Sequence, residues 1–153
     1  MRVGVRLGVD VGKVRIGLAR SDPYGMLATP VMTVPRGDGD VRIILEHAAE
    51  LDAIEVIVGL PLALSGTETA STQDARAFAN RIASATPLPV RMVDERLSTV
   101  SAQRAMQASG RNTKRSRPVI DQVAAVIILQ HALDVERSGG NPPGAVVEPD
   151  EGQ

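Results

Sequence analysis

Val5-Arg6-Leu7-Gly8-Val9-Asp10-Val11-Gly12-Lys13-Val14-Arg15-Ile16-Gly17-Leu18-Ala19-Arg20 is the stretch on which the reading of the fold turns. Apolar residues recur at 5, 7, 9 and 11, and again at 14, 16 and 18. That two-residue period is the signature of a strand with two distinct faces. The short Gly12-Lys13 link between the two runs predicts a hairpin. Leu27 to Val34 continues as a third strand, and Pro30 places it at a sheet edge, because proline cannot donate to a ladder. The first part of the chain is thus expected to be an antiparallel meander.

Beyond the meander the period changes. Val41, Ile44, Leu45 and Ala48 stand at helical spacing, as do Ala75, Phe78, Ala79 and Ile82. Between them, Ile54 to Leu60 is rich in β-branched residues with one charge, Glu55, which reads as a strand buried on both faces of a parallel sheet. Pro89 to Val93 is a short apolar strand. Ser98 to Ser109 forms a weaker helix, and Pro118 to Glu136 a long one, with Pro118 suited to its first position. Right-handed crossovers would lay the later strands parallel to the first. The expectation is an α/β fold: a five-stranded mixed sheet, three strands in the antiparallel meander and two parallel, covered by helices. The last 16 residues, from Ser138, hold four glycines, three prolines and three acids with no base. Composition assigns residues 138–153 to a disordered acidic tail and 1–137 to the folded domain.

The chain has 153 residues, 43% of them hydrophobic and 23% charged, which fits one domain with its own core. There is no cysteine, so neither a disulfide framework nor a thiolate metal site is available. The uncharged run Val56 to Thr67 is broken by Pro61 and two glycines, whereas a membrane span needs about 20 apolar residues. Asp10 interrupts the first apolar run before a signal peptide could form. The expected setting is soluble and cytoplasmic, away from membranes.

Net charge is −1, but it is unevenly spread. From Arg91 to Arg117 there are seven basic residues and two acids, giving this stretch +5 and the remainder −6. A basic region on a near-neutral protein suits an anionic partner touching one face, although a solvated charged loop would look the same. With one Tyr, one Phe and no Trp, base stacking on aromatic platforms is a poor mode of recognition here. A nucleic-acid partner would be held mainly through phosphates.

Carboxylates fall where α/β sheets keep their chemistry. Asp10 ends the first strand, Asp94 and Glu95 follow the last, and Asp121 lies in the first turn of the final helix. Ligands gather at the carboxyl ends of strands in such sheets. Buried acids brought together repel one another, and a hard divalent cation such as Mg²⁺, which prefers oxygen ligands, relieves that repulsion. Two such ions can promote phosphodiester hydrolysis. Each acid also has a structural reading. Asp121 suits the positive end of its helix, Asp10 can cap the turn before Gly12, and Asp94 and Glu95 can pair with Arg91 or Arg96. His47 and His131 lie singly on helices and suit packing or surface roles.

The local wording goes further. Gly8-Val9-Asp10-Val11-Gly12, Val58-Gly59-Leu60-Pro61-Leu62, Gly66-Thr67-Glu68, Asp94-Glu95-Arg96-Leu97-Ser98-Thr99 and Asp121-Gln122-Val123-Ala124-Ala125-Val126-Ile127-Ile128-Leu129 occur in that order. Together they resemble the motifs of the YqgF/RuvX family, from about residue 5 to residue 136. The resemblance implies a ribonuclease H-like fold related to the RuvC resolvases. It implies a metal-dependent nuclease that matures the 5′ end of pre-16S ribosomal RNA, with Holliday-junction resolution as the alternative. Asp10, Glu95 and Asp121 would be catalytic acids holding Mg²⁺ or Mn²⁺, with Asp94 as a fourth ligand or a support. Arg96, Arg111, Lys114, Arg115 and Arg117, and more weakly Lys13, would hold substrate phosphates. Pre-rRNA or branched DNA, and ribosomal particles, are the implied partners of a monomer or homodimer.

Two departures from the pattern are visible. Ala63-Leu64-Ser65-Gly66 lacks the acid that relatives often carry in that loop, and Val58-Gly59-Leu60 lacks the acid that RuvC-type enzymes place on the middle parallel strand. An actin-like ATPase also opens with Asp-x-Gly but needs two such domains, and Gly8 to Lys13 followed by Val14 is not a Walker A loop. A non-catalytic RNA-binding module would have little use for acids that repel phosphate.

Overall fold

The structure, a computed structural model, describes residues 2–97, 117–142 and 144–148, with residues 117–121 as backbone alone. Strand β1 (Val5–Val11) pairs antiparallel with β2 (Arg15–Ser21), Leu7 opposite Arg20 and Val11 opposite Ile16. The turn between them is tight. Gly12 donates its N–H to Arg15 O at 3.0 Å, and a Cβ at position 12 would stand 2.5 Å from that same oxygen. Strand β3 (Ala28–Pro35) completes the meander at the sheet edge, where Pro30 is tolerated.

Helix α1 (Asp40–Glu50) leads into β4 (Ala53–Leu60), which lies parallel to β1. Helix α2 (Ala70–Ala85) starts at a capping box in which Thr69 accepts from the Thr72 N–H, and β5 (Val90–Asp94) then lies parallel to β4. A 3-10 turn, Glu95–Leu97, follows directly. Helix α3 (Arg117–Gly139) crosses the sheet, and β6 (Ala145–Val146) pairs antiparallel with β5. The sheet order is β3-β2-β1-β4-β5-β6.

This corrects the expected strand count from five to six. The added strand comes from the stretch that composition assigned to a structureless tail. Val147 N–H donates to Val90 O at 2.7 Å and its side chain packs on the core, so a few apolar residues suffice to cover an otherwise open edge. The helix expected over Ser98 to Ser109 lies outside the described residues. Among the described residues no helix is long and apolar enough to cross a membrane.

The sheet is buried on both faces, as the composition of Ile54 to Leu60 required. Leu7, Val9, Val56 and Val58 point toward α1 and α2, where Ile44, Phe78 and Ile82 close the larger core. Ile57 and Val93 face α3 through Ala125, Ile128, Leu129 and Leu133. Helix α3 can sit this close because β1 offers no side chain at Gly8. A Cβ there would stand 2.8 Å from Leu129 Cβ and 3.2 Å from Ala125 O.

Polar groups buried under the far end of α3 are matched to one another. Arg6, 1% exposed, donates to Gly4 O at 2.8 Å, Arg2 O at 3.0 Å and Glu136 Oε2 at 3.0 Å. Arg2 bridges Glu136 at 2.6 Å and Glu55 at 2.8 Å, and Arg91 reaches Glu55 at 3.1 Å. The bonds from Arg2 and the charge of Arg6 hold the Glu136 carboxyl down at about 2.

Candidate active site

Side chains alternate along β1, so Arg6, Gly8 and Asp10 share the face that looks toward α3 while Leu7 and Val9 enter the other core. Asp10 is 1% exposed at the carboxyl end of this strand. Its neighbour across the parallel ladder follows from the register. Val9 pairs with Val58, and one step further places Asp10 beside Gly59.

Glu95 reaches the same place from another strand. It opens the 3-10 turn after β5 and is 3% exposed. Its Oε2 stands 2.9 Å, and its Cδ 3.2 Å, from where a Cβ on Gly59 would be. The Glu95 carboxylate therefore hangs over the end of β4, about one strand spacing (roughly 4.8 Å) from the strand that carries Asp10. Two nearly inaccessible carboxylates from β1 and the end of β5 thus share one face and one end of the sheet.

Asp121 is described by its backbone only, within α3. The direction of that helix is fixed by its contacts. Glu136 meets Arg6, whereas Ala125 and Leu129 meet Gly8, so α3 runs opposite to β1. Position 121 precedes Ala125 by one turn, which carries its backbone toward the end of the sheet where Asp10 lies.

Asp94 is differently engaged. Val90 and Met92 of β5 face the α1–α2 core, and alternation sends Asp94 to that side, away from Glu95. Its carboxylate accepts from Arg96 Nε at 3.1 Å and Nη2 at 2.6 Å and from the Arg96 backbone N–H at 2.9 Å. The Arg96 bonds hold the Asp94 carboxyl below its ordinary range. Arg96 in turn lies against the turn that follows β4. It donates to Leu64 O at 3.4 Å, and its Nη1 would be 3.1 Å from a Cβ on Gly66, which has φ +91°. That turn is closed by a Leu62–Glu68 bridge and by Gly66 N–H to Ala63 O at 2.8 Å.

Lys13 is exposed at the tip of the β1–β2 hairpin. The tip is tied down by Arg36, a residue that no motif singled out. Arg36 donates to Gly12 O at 2.8 Å and to both oxygens of Asp74 at 2.9 and 3.0 Å, with its guanidinium 5.1 Å from the Phe78 ring centroid. The Arg36 bond is the main cause, and the nearby Lys13 charge a lesser one, of a depressed Asp74 carboxyl. Arg36 escaped the sequence reading because its partners are distant in the chain. Arg111, Lys114 and Arg115 lie outside the described residues, and Arg117 is described by its backbone only.

The donors present suit a hard cation. Two buried carboxylates offer oxygen alone, at the carboxyl ends of strands, with no sulfur or imidazole in this part of the described structure.

Comparison with known proteins bears on the chain as a whole. A family model described as "RuvX: Holliday junction resolvase" matches residues 4–135. The chain is 69% identical over 150 residues to a "Putative pre-16S rRNA nuclease" of Clavibacter sepedonicus, covering 96% of this chain and 93% of that protein. A protein of the same name from Leifsonia xyli subsp. xyli is 62% identical, with 97% of each covered. Among solved structures, RuvC of T. thermophilus in complex with a Holliday junction substrate is similar at a TM-score of 0.57 and 19% identity, over 92% of this chain and 99% of that one. At that identity the likeness is one of fold, and it fits the ribonuclease H-like architecture expected from the sequence.

Proposed function

The chain belongs to the RuvX family, and from that premise we propose that it is a divalent-metal-dependent nuclease that processes the 5′ end of pre-16S ribosomal RNA. The observation that carries this reading is the pairing of Asp10 and Glu95, both buried, on one face at the carboxyl end of the sheet. Buried carboxylate oxygens brought from two strands to one end of a sheet have the right chemistry for a cation that must meet phosphate. The substrate follows from the names of the relatives at 69% and 62% identity.

Asp10, Glu95 and Asp121 would hold one or two Mg²⁺ or Mn²⁺ ions. Bound there, the metal supplies Lewis-acid polarisation of the phosphoryl group. Asp10 and Glu95 would hold the cation, and their carboxylate oxygens could accept a hydrogen bond from the attacking water, while the body of α3 would exclude bulk solvent from one side. Asp94 would serve as the support of Arg96 rather than as an ion ligand, since it leaves β5 on the side away from Glu95 and accepts from Arg96 there. Arg96 and Lys13, with Arg111, Lys114, Arg115 and Arg117, contact backbone phosphates and give binding that weakens with salt. The setting of such a substrate is the cytoplasm, and ribosomal particles are the larger partner.

Junction resolution is the second reading, favoured by the description of the matching family. It needs two symmetric cuts and hence a two-fold dimer, whereas processing one RNA strand can be done by a monomer. The deciding experiment compares a pre-16S 5′ leader with a four-way DNA junction, for wild type and Asp10→Asn, with Mg²⁺ or Mn²⁺. Cleavage of the leader by wild type and a loss of at least about 10²-fold in Asp10→Asn is expected. A variant that cuts as fast as wild type overturns the mechanism, and cleavage of the junction alone overturns the substrate.

A further inference from the structure

From the space above β4 we infer that Gly59 is a positioning residue: its missing side chain is the slot that the Glu95 carboxylate occupies. The inference rests on the metal-site reading given above and adds to it a reason for the bare middle strand. Position 59 points to the same face as Asp10, beside it in the parallel ladder, which is where a strand-borne ligand could stand. The chain has no acid there. Instead the Glu95 side chain, starting beyond the end of β5, reaches back over β4 until its Oε2 lies 2.9 Å from the Cβ position of residue 59. Contacts that close are not made by real Cβ atoms, so a side chain at 59 requires the carboxylate to shift from where it lies. The Glu95 carboxylate thus stands where a side chain borne by β4 would stand, although it is carried by the segment after β5.

A competing account is that Gly59 only admits helix α3, because the same Cβ position is 2.6 Å from Ile128 Cδ1. Truncating Ile128 to Val removes that one atom and leaves the Glu95 contact, so the two accounts make different demands. A glycine inside a strand is otherwise unfavourable, since it gains no packing and loses the most backbone freedom.

The experiment is titration of the full-length protein with Mn²⁺ alone, followed by calorimetry or by loss of the free-ion EPR signal, with thermal melts in chelator to establish folding. Gly59→Ala in an Ile128→Val background is expected to bind Mn²⁺ about 10-fold or more weakly than Ile128→Val itself, the size of loss typical when a ligand's support is disturbed. The reciprocal set moves the acid: Glu95→Ala with Ile128→Val loses binding, and adding Gly59→Asp restores part of it. Equal Mn²⁺ affinity for Gly59→Ala/Ile128→Val and Ile128→Val overturns the inference. So does a folded Gly59→Asp/Glu95→Ala/Ile128→Val protein that binds no better than Glu95→Ala/Ile128→Val, and this arm stands even where Gly59→Ala melts. Asp10→Asn and Glu95→Gln mark the other failure. If neither weakens Mn²⁺ binding, the metal site itself is misplaced and the role of Gly59 falls with it.

Discussion

Replacing Glu136 with Gln keeps the shape of the side chain and removes its charge, which isolates the ion network under α3. In the folded protein that charge faces Arg6 at 3.0 Å and Arg2 at 2.6 Å. Arg6 is 1% exposed and, among the described residues, meets no carboxylate besides Glu136. Without that charge Arg2 and Arg91 still share Glu55, while the buried Arg6 guanidinium loses the carboxylate it faces. Breaking a buried pair in this way costs roughly 3–5 kcal/mol. Arg2 is 36% exposed, so its share is screened and the lower end applies.

Proton linkage gives a second route to the magnitude. A carboxyl held at about 2 instead of 4.5 corresponds to roughly 3 kcal/mol before screening is discounted. The sign follows from the depressed value. This stability is complete above pH 4.5 and is lost as the pH falls through about 2. Urea unfolding followed by far-UV circular dichroism is the suitable assay, since the chain has no Trp and one Tyr. At pH 7 Glu136→Gln should lose about 2–3 kcal/mol, equivalent to roughly 4–12 °C in Tm at this size. The gap between the two proteins should narrow as the pH is taken from 4.5 toward 2. A gap under about 1 kcal/mol at pH 7, or one that ignores pH, would refute the assignment of this network as a stabilising one.

Gly8→Ala should cost about 1–3 kcal/mol in the same urea assay, because the added carbon meets Leu129 Cβ at 2.8 Å and must push α3 outward. Asp94→Asn should leave Mn²⁺ affinity unchanged while raising KM for RNA, since it releases Arg96 without touching the acids on the other face; a matching loss of Mn²⁺ binding would make Asp94 a ligand after all. Gly144→Ala should detach β6, because residue 144 has φ +74° and the new carbon would stand 2.2 Å from Met92 O. Hydrogen exchange reads this directly as faster exchange at the Val147 amide, which donates to Val90 O, with the exchange of β1 unaltered.

Proteins read from sequence yield first what repeats locally. The period of two through Val5 to Arg20, the strand-like run Leu27 to Val34, the β-branched run at Ile54 to Leu60 and the short apolar run Pro89 to Val93 yielded every strand but the last, within a residue or two of its observed bounds. They did so because alternation and helical spacing are properties of the backbone, set before any tertiary contact forms. The same pattern put Asp10 and Glu95 at strand ends.

What the period could not supply is which of two adjacent acids turns to which side. Asp94 still obeys the pleat and faces the α2 side, where Arg96 takes it; Glu95 has entered a 3-10 turn and folds back over Gly59. That choice needs the empty space on a neighbouring strand, which no local window contains. Arg36 on Gly12 O, Arg6 on Glu136 and β6 on β5 are likewise pairings between remote segments. Their energies come from burial and charge matching at a distance in the chain. Local pattern in the chain determined which elements form, the last strand apart, and in what order; only the packed structure decided which side chains share a face.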